Sequence, residues 1–294
     1  MSIALAIAAG SRWRRKRLML PSLVLLALIV AVVLSPAVIG AHGAMVDLRH
    51  RLAAPSLLHP LGTDALGRDL LLRLCLGGRV SLLVGAVAAV AAAGLGTAVG
   101  LIAGYRGGRI DALLMRITDG VIALPLLPLL VVLAALDLDK IGLGWVARSE
   151  EASLYRIIVL VALVGWTTVA RLVRGATLSL RAQDFVRAAL ALGAGPLRIM
   201  LVHILPNLSS SIIVATTLSV GEIILLESVL SFLGLGVAPP LASWGNMLTG
   251  AQETIALAPQ LALYPGLLIL ITVVACNFLG DGLQEALDPR ARRR

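Results

Sequence analysis

Two carboxylates, Glu222 and Glu227, stand inside an otherwise uncharged stretch of about Leu208 to Leu230. An ionisable group within a membrane-spanning helix is costly unless it is paired, hydrogen-bonded or wetted, so each residue needs a partner or water. Five positions separate them, which is ~140° around a helix, so they do not face one surface. Counted from Asn207, they lie ~22 and ~30 Å along the helix, which puts Glu222 in the outer half and Glu227 at the outer interface. For both, a structural hydrogen bond or interface exposure stands beside a functional reading. Asn277 and Asp281, four residues apart, share a helix face; they either line an inner gate or cap a helix end near Gly280 and Gly282. Asp119 follows Arg116 by three residues, a spacing that predicts a local ion pair. His203 has no companion at metal-ligand spacing, and Cys75 and Cys276 form no CxxC or Cys/His cluster. Walker GxxxxGK[ST], HExxH and GxSxG are absent, so the chain is expected neither to hydrolyse ATP nor to cleave peptides by those routes.

The elements that hold these residues follow from composition. Of 294 residues, 59% are hydrophobic and 14% charged, against about 45 to 50% and about 25% in a soluble domain. The net charge is +9, but aromatics are only 3% and long apolar runs separate the basic residues. Attraction to anionic lipid headgroups explains that charge better than nucleic acid does. About 20 apolar residues of helix cross a bilayer, and uncharged runs of that order predict six spans in an all-α membrane protein. The first occupies 18–40, the second lies between Arg79 and Arg106, and the third runs from about Ile117 to Leu136. The fourth covers about Ile157 to Ala170 and extends by snorkelling of its flanking arginines. The fifth covers about Leu208 to Leu230, and the sixth about Ala258 to Gly280. Gly85, Gly94, Gly96, Gly100 and Gly104 recur in the second, as expected of a helix inside a bundle. Pro125 and Pro128 predict a kink in the third. The first apolar run is longer than a signal-peptide core, so a retained anchor is expected. Seventeen basic residues fall on one set of alternate loops and eight on the other, which places both termini and the 181–207 loop in the cytoplasm.

Within that loop Asp184 is expected to cap a short helix from Phe185 to Leu192, Gly193 to stop it, and Pro196 to open a second helix. Ala188, Ala189 and Ala191 make one side small enough for its backbone to sit deep in another protein's groove. The run Arg187-Ala188-Ala189, three residues, Gly193, nine residues, then His203-Ile204-Leu205-Pro206 resembles the EAA loop of bacterial ABC-transporter permeases. Arg187 stands where that pattern has Glu and His203 where it has Ile, departures similar to those of the oligopeptide and dipeptide branch.

A second stretch, His59-Pro60-Leu61-Gly62-Thr63-Asp64-Ala65-Leu66-Gly67-Arg68-Asp69 continuing through Gly78 to Gly85, resembles the signature of the permease component usually labelled C in dipeptide, oligopeptide and nickel importers. From the residues themselves, Thr63 or Asp64 can cap a helix, Asp64–Arg68 and Asp69–Arg73 can pair at i,i+4, and Leu66, Leu70 and Leu74 share a face. That predicts an amphipathic helix on the outer membrane surface. It either helps shape the external mouth or tethers spans one and two. The stretches 231–248 and 264–290 are similar to the same permeases, so the resemblance covers roughly residues 59 to 290.

The resemblance implies a type I ABC importer permease fold of about six helices. The chain would divide into a basic cytoplasmic tail (1–17), a first span (18–40), an extracytoplasmic segment with the amphipathic helix (41–78), a core with five spans (79–282) and a cytoplasmic tail (283–294). It implies a translocation path for dipeptides or oligopeptides, with nickel or another small solute as the alternative cargo. Independently of the resemblance, the functional reading of Glu222 makes it part of a water-filled path that meets a peptide's amino group, beside the structural reading given above. The implied partners are a homologous permease, two ATPase subunits that bind ATP and magnesium, an extracytoplasmic substrate-binding protein and the lipid of a bacterial inner membrane. No cofactor is expected on this chain. Asp184, Arg187, Ala188, Ala189, Gly193, His203 and Pro206 would form the coupling element. A membrane-embedded enzyme or a secondary transporter is the competing class. It needs convergent catalytic groups or inverted repeats with midplane ion sites, and the sequence displays neither.

Overall fold

Glycine and alanine decide how the centre of the bundle is built. The computed structural model describes residues 18–35, 46–134 and 152–287. Its helices are α1 (Leu18–Ser35), α2 (Leu70–Arg106), α3 (Gly108–Ala123), α4 (Leu126–Ala134), α5 (Ala152–Arg181), α6 (Asp184–Ala191), α7 (Pro196–Phe232), α8 (Trp244–Ala251) and α9 (Gln260–Leu287). The most extensive pairing joins α2 to α5. Along it, a Cβ at Gly96 would lie 2.5 Å from the Trp166 carbonyl oxygen, and one at Gly104 would lie 2.7 Å from Thr177 Cβ. Gly100 is packed equally hard against the Ala170 carbonyl. Side-chain-free positions one turn apart thus let two backbones touch, as expected where lipid supplies no hydrophobic drive between helices. Gly94 meets nothing within 4 Å and faces away from that seam.

The other long helices complete the body. α7 packs on α2 and α9, and α8 wedges between α7 and α9. Gly280 admits the Leu218 side chain, and Gly85 admits Ile224. Three apolar clusters stack through the molecule. One is centred on Val84, Ile157, Ile223 and Leu230, one on Leu70, Trp244, Met247 and Leu261, and one on Leu101, Val173, Val186 and Ile204.

Several boundaries differ from the sequence expectation. The second helix begins at Leu70 rather than near Arg79, and its 37 residues reach ~55 Å, well beyond the ~30 Å hydrocarbon core. The third span starts at Gly108 rather than near Ile117, and the kink expected at Pro125 is present as a break, with α3 and α4 meeting at 88° around Leu124 and Pro125. Pro125 has no N–H to continue α3, which is the physical cause of the break. The fourth extends through Arg171, Arg174 and Arg181 because carboxylates on α3 meet two of those charges. Arg174 Nε and Nη2 donate to Asp111 at 2.5 and 2.7 Å, and Arg171 Nη2 donates to Asp119 at 2.5 Å. Asp119 therefore pairs across helices and not with Arg116. The sixth helix continues to Leu287, so neither Gly280 nor Gly282 ends it and the capping reading of Asn277 and Asp281 fails.

The expected external amphipathic helix is absent from the described residues 62–69. Gly62 (φ 82°) and Gly67 (φ 74°) take left-handed backbone, and Thr63 and Asp69 pair as an antiparallel bridge. Positive φ at two positions five apart is incompatible with a helix. The basic residues before Leu18, Lys140, Arg148 and those from Arg290 onward lie outside the described residues.

Candidate functional site: the elbow, the loop and the latch

An elbow is made by α6 and the start of α7. Gln183, in extended backbone, precedes α6, so Asp184 is its first residue and not its cap. At the other end Gly193 (φ 83°) closes a Schellman motif, in which its own N–H donates to the Leu190 carbonyl at 2.9 Å and Ala194 N–H donates to the Ala189 carbonyl at 3.0 Å. Glycine suits this position because a Cβ is strained at positive φ, and the motif satisfies two carbonyls that the helix leaves open. The chain then turns at Gly195, and Pro196 opens α7 at its first turn, where its missing N–H costs nothing.

Burial splits α6 into two faces. Val186 is fully buried against Leu101, Val173 and Ile199, and Ala189 is buried beside it. Asp184, Arg187, Ala188 and Ala191 point outward, together with Phe185 and Leu190, and Leu192 just beyond the helix is 88% exposed. Ala189 thus holds the helix to the body, while Ala188 supplies the small outer face. Arg187 and Asp184 are 3.8 Å apart and solvent-exposed, which contributes little to stability. His203 and Pro206 sit at the start of α7, where Ile199–Ile204 forms a π-helical turn. Pro206 cannot donate to the carbonyl four residues back, and a widened turn just before it accommodates that gap. The His203 carbonyl accepts from Asn207 Nδ2 at 2.7 Å.

At the opposite end of the bundle the signature residues build a loop. Asp64 Oδ1 accepts from the N–H groups of Leu66 and Arg68 at 2.8 and 2.9 Å. Its Oδ2 accepts from Arg68 Nε at 2.8 Å and Arg73 Nη1 at 2.6 Å. Burial raises the pKa of this carboxyl, but the Arg68 backbone donor, the Arg73 charge and the Leu66 donor outweigh it and hold the pKa below its ordinary value. The expected Asp69–Arg73 pair is replaced. Asp69 caps α2 by accepting from Leu72 N–H at 2.8 Å and meets His59 Nδ1 at 2.9 Å, which frees Arg73 for Asp64. Thr63 Oγ1 accepts from Ala53 N–H at 2.8 Å and donates to the His50 carbonyl. Thr63, Asp64 and Asp69 are all turned inward.

Glu227 is fully buried, so of its two readings the structural hydrogen bond holds and exposure does not. Ser81 Oγ on α2 donates to its Oε2 at 3.0 Å, and Ser231 Oγ donates to Oε1 at 2.6 Å. Ser81 also accepts from Trp244 N–H at 3.2 Å, and Ser231 accepts from Val237 N–H at 3.1 Å. Trp244 Nε1 donates to the Leu74 carbonyl at 2.9 Å, and Asn246 completes a capping box with Ser243. The result is a polar latch joining α2, α7 and α8. Ser81, Ser231, Ser243 and Trp244 were visible in the sequence as motif letters, with no cue to their common partner.

Glu222 is exposed on another face of α7 beside Ser219 and Thr168. Asp281 instead lines a groove of about 870 Å³ between α9 and α1, with Leu20, Pro21 and Phe278. Asn277 is exposed one turn before Asp281 and does not join the Glu222 surface.

Long apolar helices packed as a bundle with a capped elbow at one end are the architecture of a polytopic membrane protein. Residues 96–293 match the family described as binding-protein-dependent transport system inner membrane component, and the chain belongs to it. It is 37% identical over 293 residues to the oligopeptide transport system permease protein OppC of Bacillus subtilis, covering 99% of this chain and 92% of the relative. To the dipeptide transport system permease protein DppC of the same organism it is 41% identical over 96% of this chain and 85% of the relative. The glutathione transport system permease protein GsiD of Pectobacterium atrosepticum is 40% identical over 81% of this chain and 75% of its own length. The protein is thus a multi-pass inner-membrane permease subunit of an ABC transporter.

Proposed function

We propose that this subunit forms half of the translocation path of an ATP-driven importer of dipeptides or oligopeptides. The observation that carries the reading is the α6 elbow. It is a two-turn helix, fixed inward by Val186 and Ala189 and closed by Gly193, whose exposed face mixes small and apolar side chains. An ATPase subunit seated on that face would move α5 and α7 as one piece, because Val186 shares its cluster with both. Asp184, Arg187, Ala188, Gly193, His203 and Pro206 lie on or next to that contact, and Ala189 supports it from beneath.

In this scheme both termini are cytoplasmic, a homologous permease supplies the second wall, two ATPases bind ATP and magnesium, and an extracytoplasmic binding protein delivers cargo. The assay is uptake of labelled dipeptide, tetrapeptide and nickel ion into proteoliposomes holding this chain with its genomic-neighbour permease, ATPases and binding protein. ATP-dependent accumulation of a peptide is the expected result. Accumulation of nickel alone, or no uptake of any of the three, would overturn the cargo assignment.

A further inference from the structure

Two cavities on one face of the bundle meet at a single carboxylate. The first, about 450 Å³, is lined by Ser211 and Ser219 of α7, Thr168 of α5 and Gln284 of α9. The second, about 560 Å³, is lined by Thr167 of α5, by Leu226 and Val229 of α7, and by Leu124 and Leu127 around the α3–α4 break. Thr168, Ser219 and Glu222 belong to both. The α7 lining runs from Ser210 to Val229, ~28 Å of helix, which is about the thickness of the hydrocarbon core. The two adjoining cavities together therefore border a length of α7 comparable to that thickness. The end toward Gln284 is rich in hydroxyl and amide groups, and the end toward Val229 is apolar.

Glu222 is the sole carboxylate among the described residues lining either cavity, and no described residue pairs with it. The nearby arginines of α5 are already engaged, Arg171 with Asp119 and Arg174 with Asp111. A charged carboxylate facing lipid at mid-depth costs about 3 kcal/mol, so an unpartnered one is sustained by water or by a cation that visits it. The hydroxyls and the amide along the cavities can exchange hydrogen bonds with peptide groups of any sequence, whereas the carboxylate distinguishes charge.

We propose that Glu222 is the charge-selective point of the path and receives the free ammonium group of a peptide as it passes between the two permeases. The inference rests on the peptide-import reading and names the chemistry by which the cavities recognise that cargo.

The test compares uptake of trialanine and N-acetyl-trialanine by the reconstituted wild-type assembly and by the Glu222→Gln and Glu222→Asp variants. Cargo affinity of the binding protein is measured separately and divided out. Wild type is expected to favour the free amine, Glu222→Gln to lose on the order of tenfold of that preference, equivalent to ~1.4 kcal/mol, and Glu222→Asp to keep part of it. Equal effects of Glu222→Gln on both peptides would overturn the inference while leaving peptide import intact. Absence of all peptide uptake by wild type would overturn the import reading and this inference with it. As an independent check, Glu222→Cys in a background carrying Cys75→Ser and Cys276→Ser is expected to react faster with a cationic than with an anionic water-soluble thiol reagent. Failure to react in every nucleotide state would also overturn the proposal.

Discussion

Ser81 and Glu227, 146 residues apart in sequence, meet at 3.0 Å in the interior of the bundle, and the same serine accepts the N–H that begins α8. The contact fixes α2 against α7 and holds α8 over both. An isolated buried polar group is costly, whereas a connected network of donors and acceptors specifies a geometry.

Ser81→Ala leaves one Glu227 oxygen short of a donor and the Trp244 N–H without an acceptor, so a loss of about 1 to 3 kcal/mol is expected. Glu227→Gln keeps a carbonyl acceptor and is expected to be milder than Glu227→Leu, which orphans the hydroxyls of both Ser81 and Ser231. Thermal unfolding of the detergent-solubilised assembly ranks the three. A Glu227→Leu variant as stable as wild type would show that the latch does not hold the helices together.

The α2–α5 seam yields a contrast between glycines only two positions apart. Gly96→Ala would drive a methyl group to 2.5 Å from the Trp166 carbonyl oxygen, while Gly94→Ala meets open space. The first is expected to reduce the yield of folded protein sharply. The second should be neutral or stabilising by up to ~1 kcal/mol, since alanine favours helix over glycine. Monodispersity after membrane extraction separates the two outcomes.

The loop at residues 62–69 is expected to loosen in acid. Its Asp64 carboxyl has a pKa below the ordinary value of about 3.9, so in that range the folded loop binds fewer protons than the unfolded chain. Its contribution is therefore complete above the unfolded pKa and is lost as pH falls through the lower folded one. Hydrogen exchange at the Leu66 and Arg68 amides, both donors to Asp64, is expected to lose protection below about pH 4. In Asp64→Asn that protection should be weaker at neutral pH and independent of this titration.

Much of the helical inventory was legible because apolar run length decides where a chain crosses lipid, and the glycine spacing in α2 did mark a buried seam. The elbow was equally readable, since Gly193 and Pro196 act through local backbone geometry. Partners across helices were not. Asp119 reads as paired with Arg116 until α5 brings Arg171 beside it, and Asp69 reads as paired with Arg73 until the loop brings His59 to Asp69 and Arg73 to Asp64. On α3 the helix holds but a charge from α5 competes for Asp119, and Asp69 turns its carboxylate to Leu72 N–H and His59 as the cap of α2; at residues 62–69 two positive-φ glycines remove the expected helix altogether. Glu227 reads as needing a hydrogen-bond partner, but the identity of that partner is hidden in the sequence. Distance along α7 gives its depth, but its burial is set by Ser81 on another helix. The stripe of Ser211, Ser219 and Glu222 on α7 was recoverable from spacing alone, since those positions recur at helical period.

In the proposed mechanism the α6 elbow transmits ATPase motion to the path. Gly193→Arg places a side chain at φ 83°, where its Cβ meets nothing within 4 Å inside this chain, so its effect should fall on the outer contact and on the backbone of the turn. The most direct measurement is ATP-driven peptide uptake by this variant in proteoliposomes, with membrane insertion monitored alongside. The expected result is normal insertion with uptake abolished. Uptake at the wild-type rate by a correctly inserted Gly193→Arg protein would contradict the account.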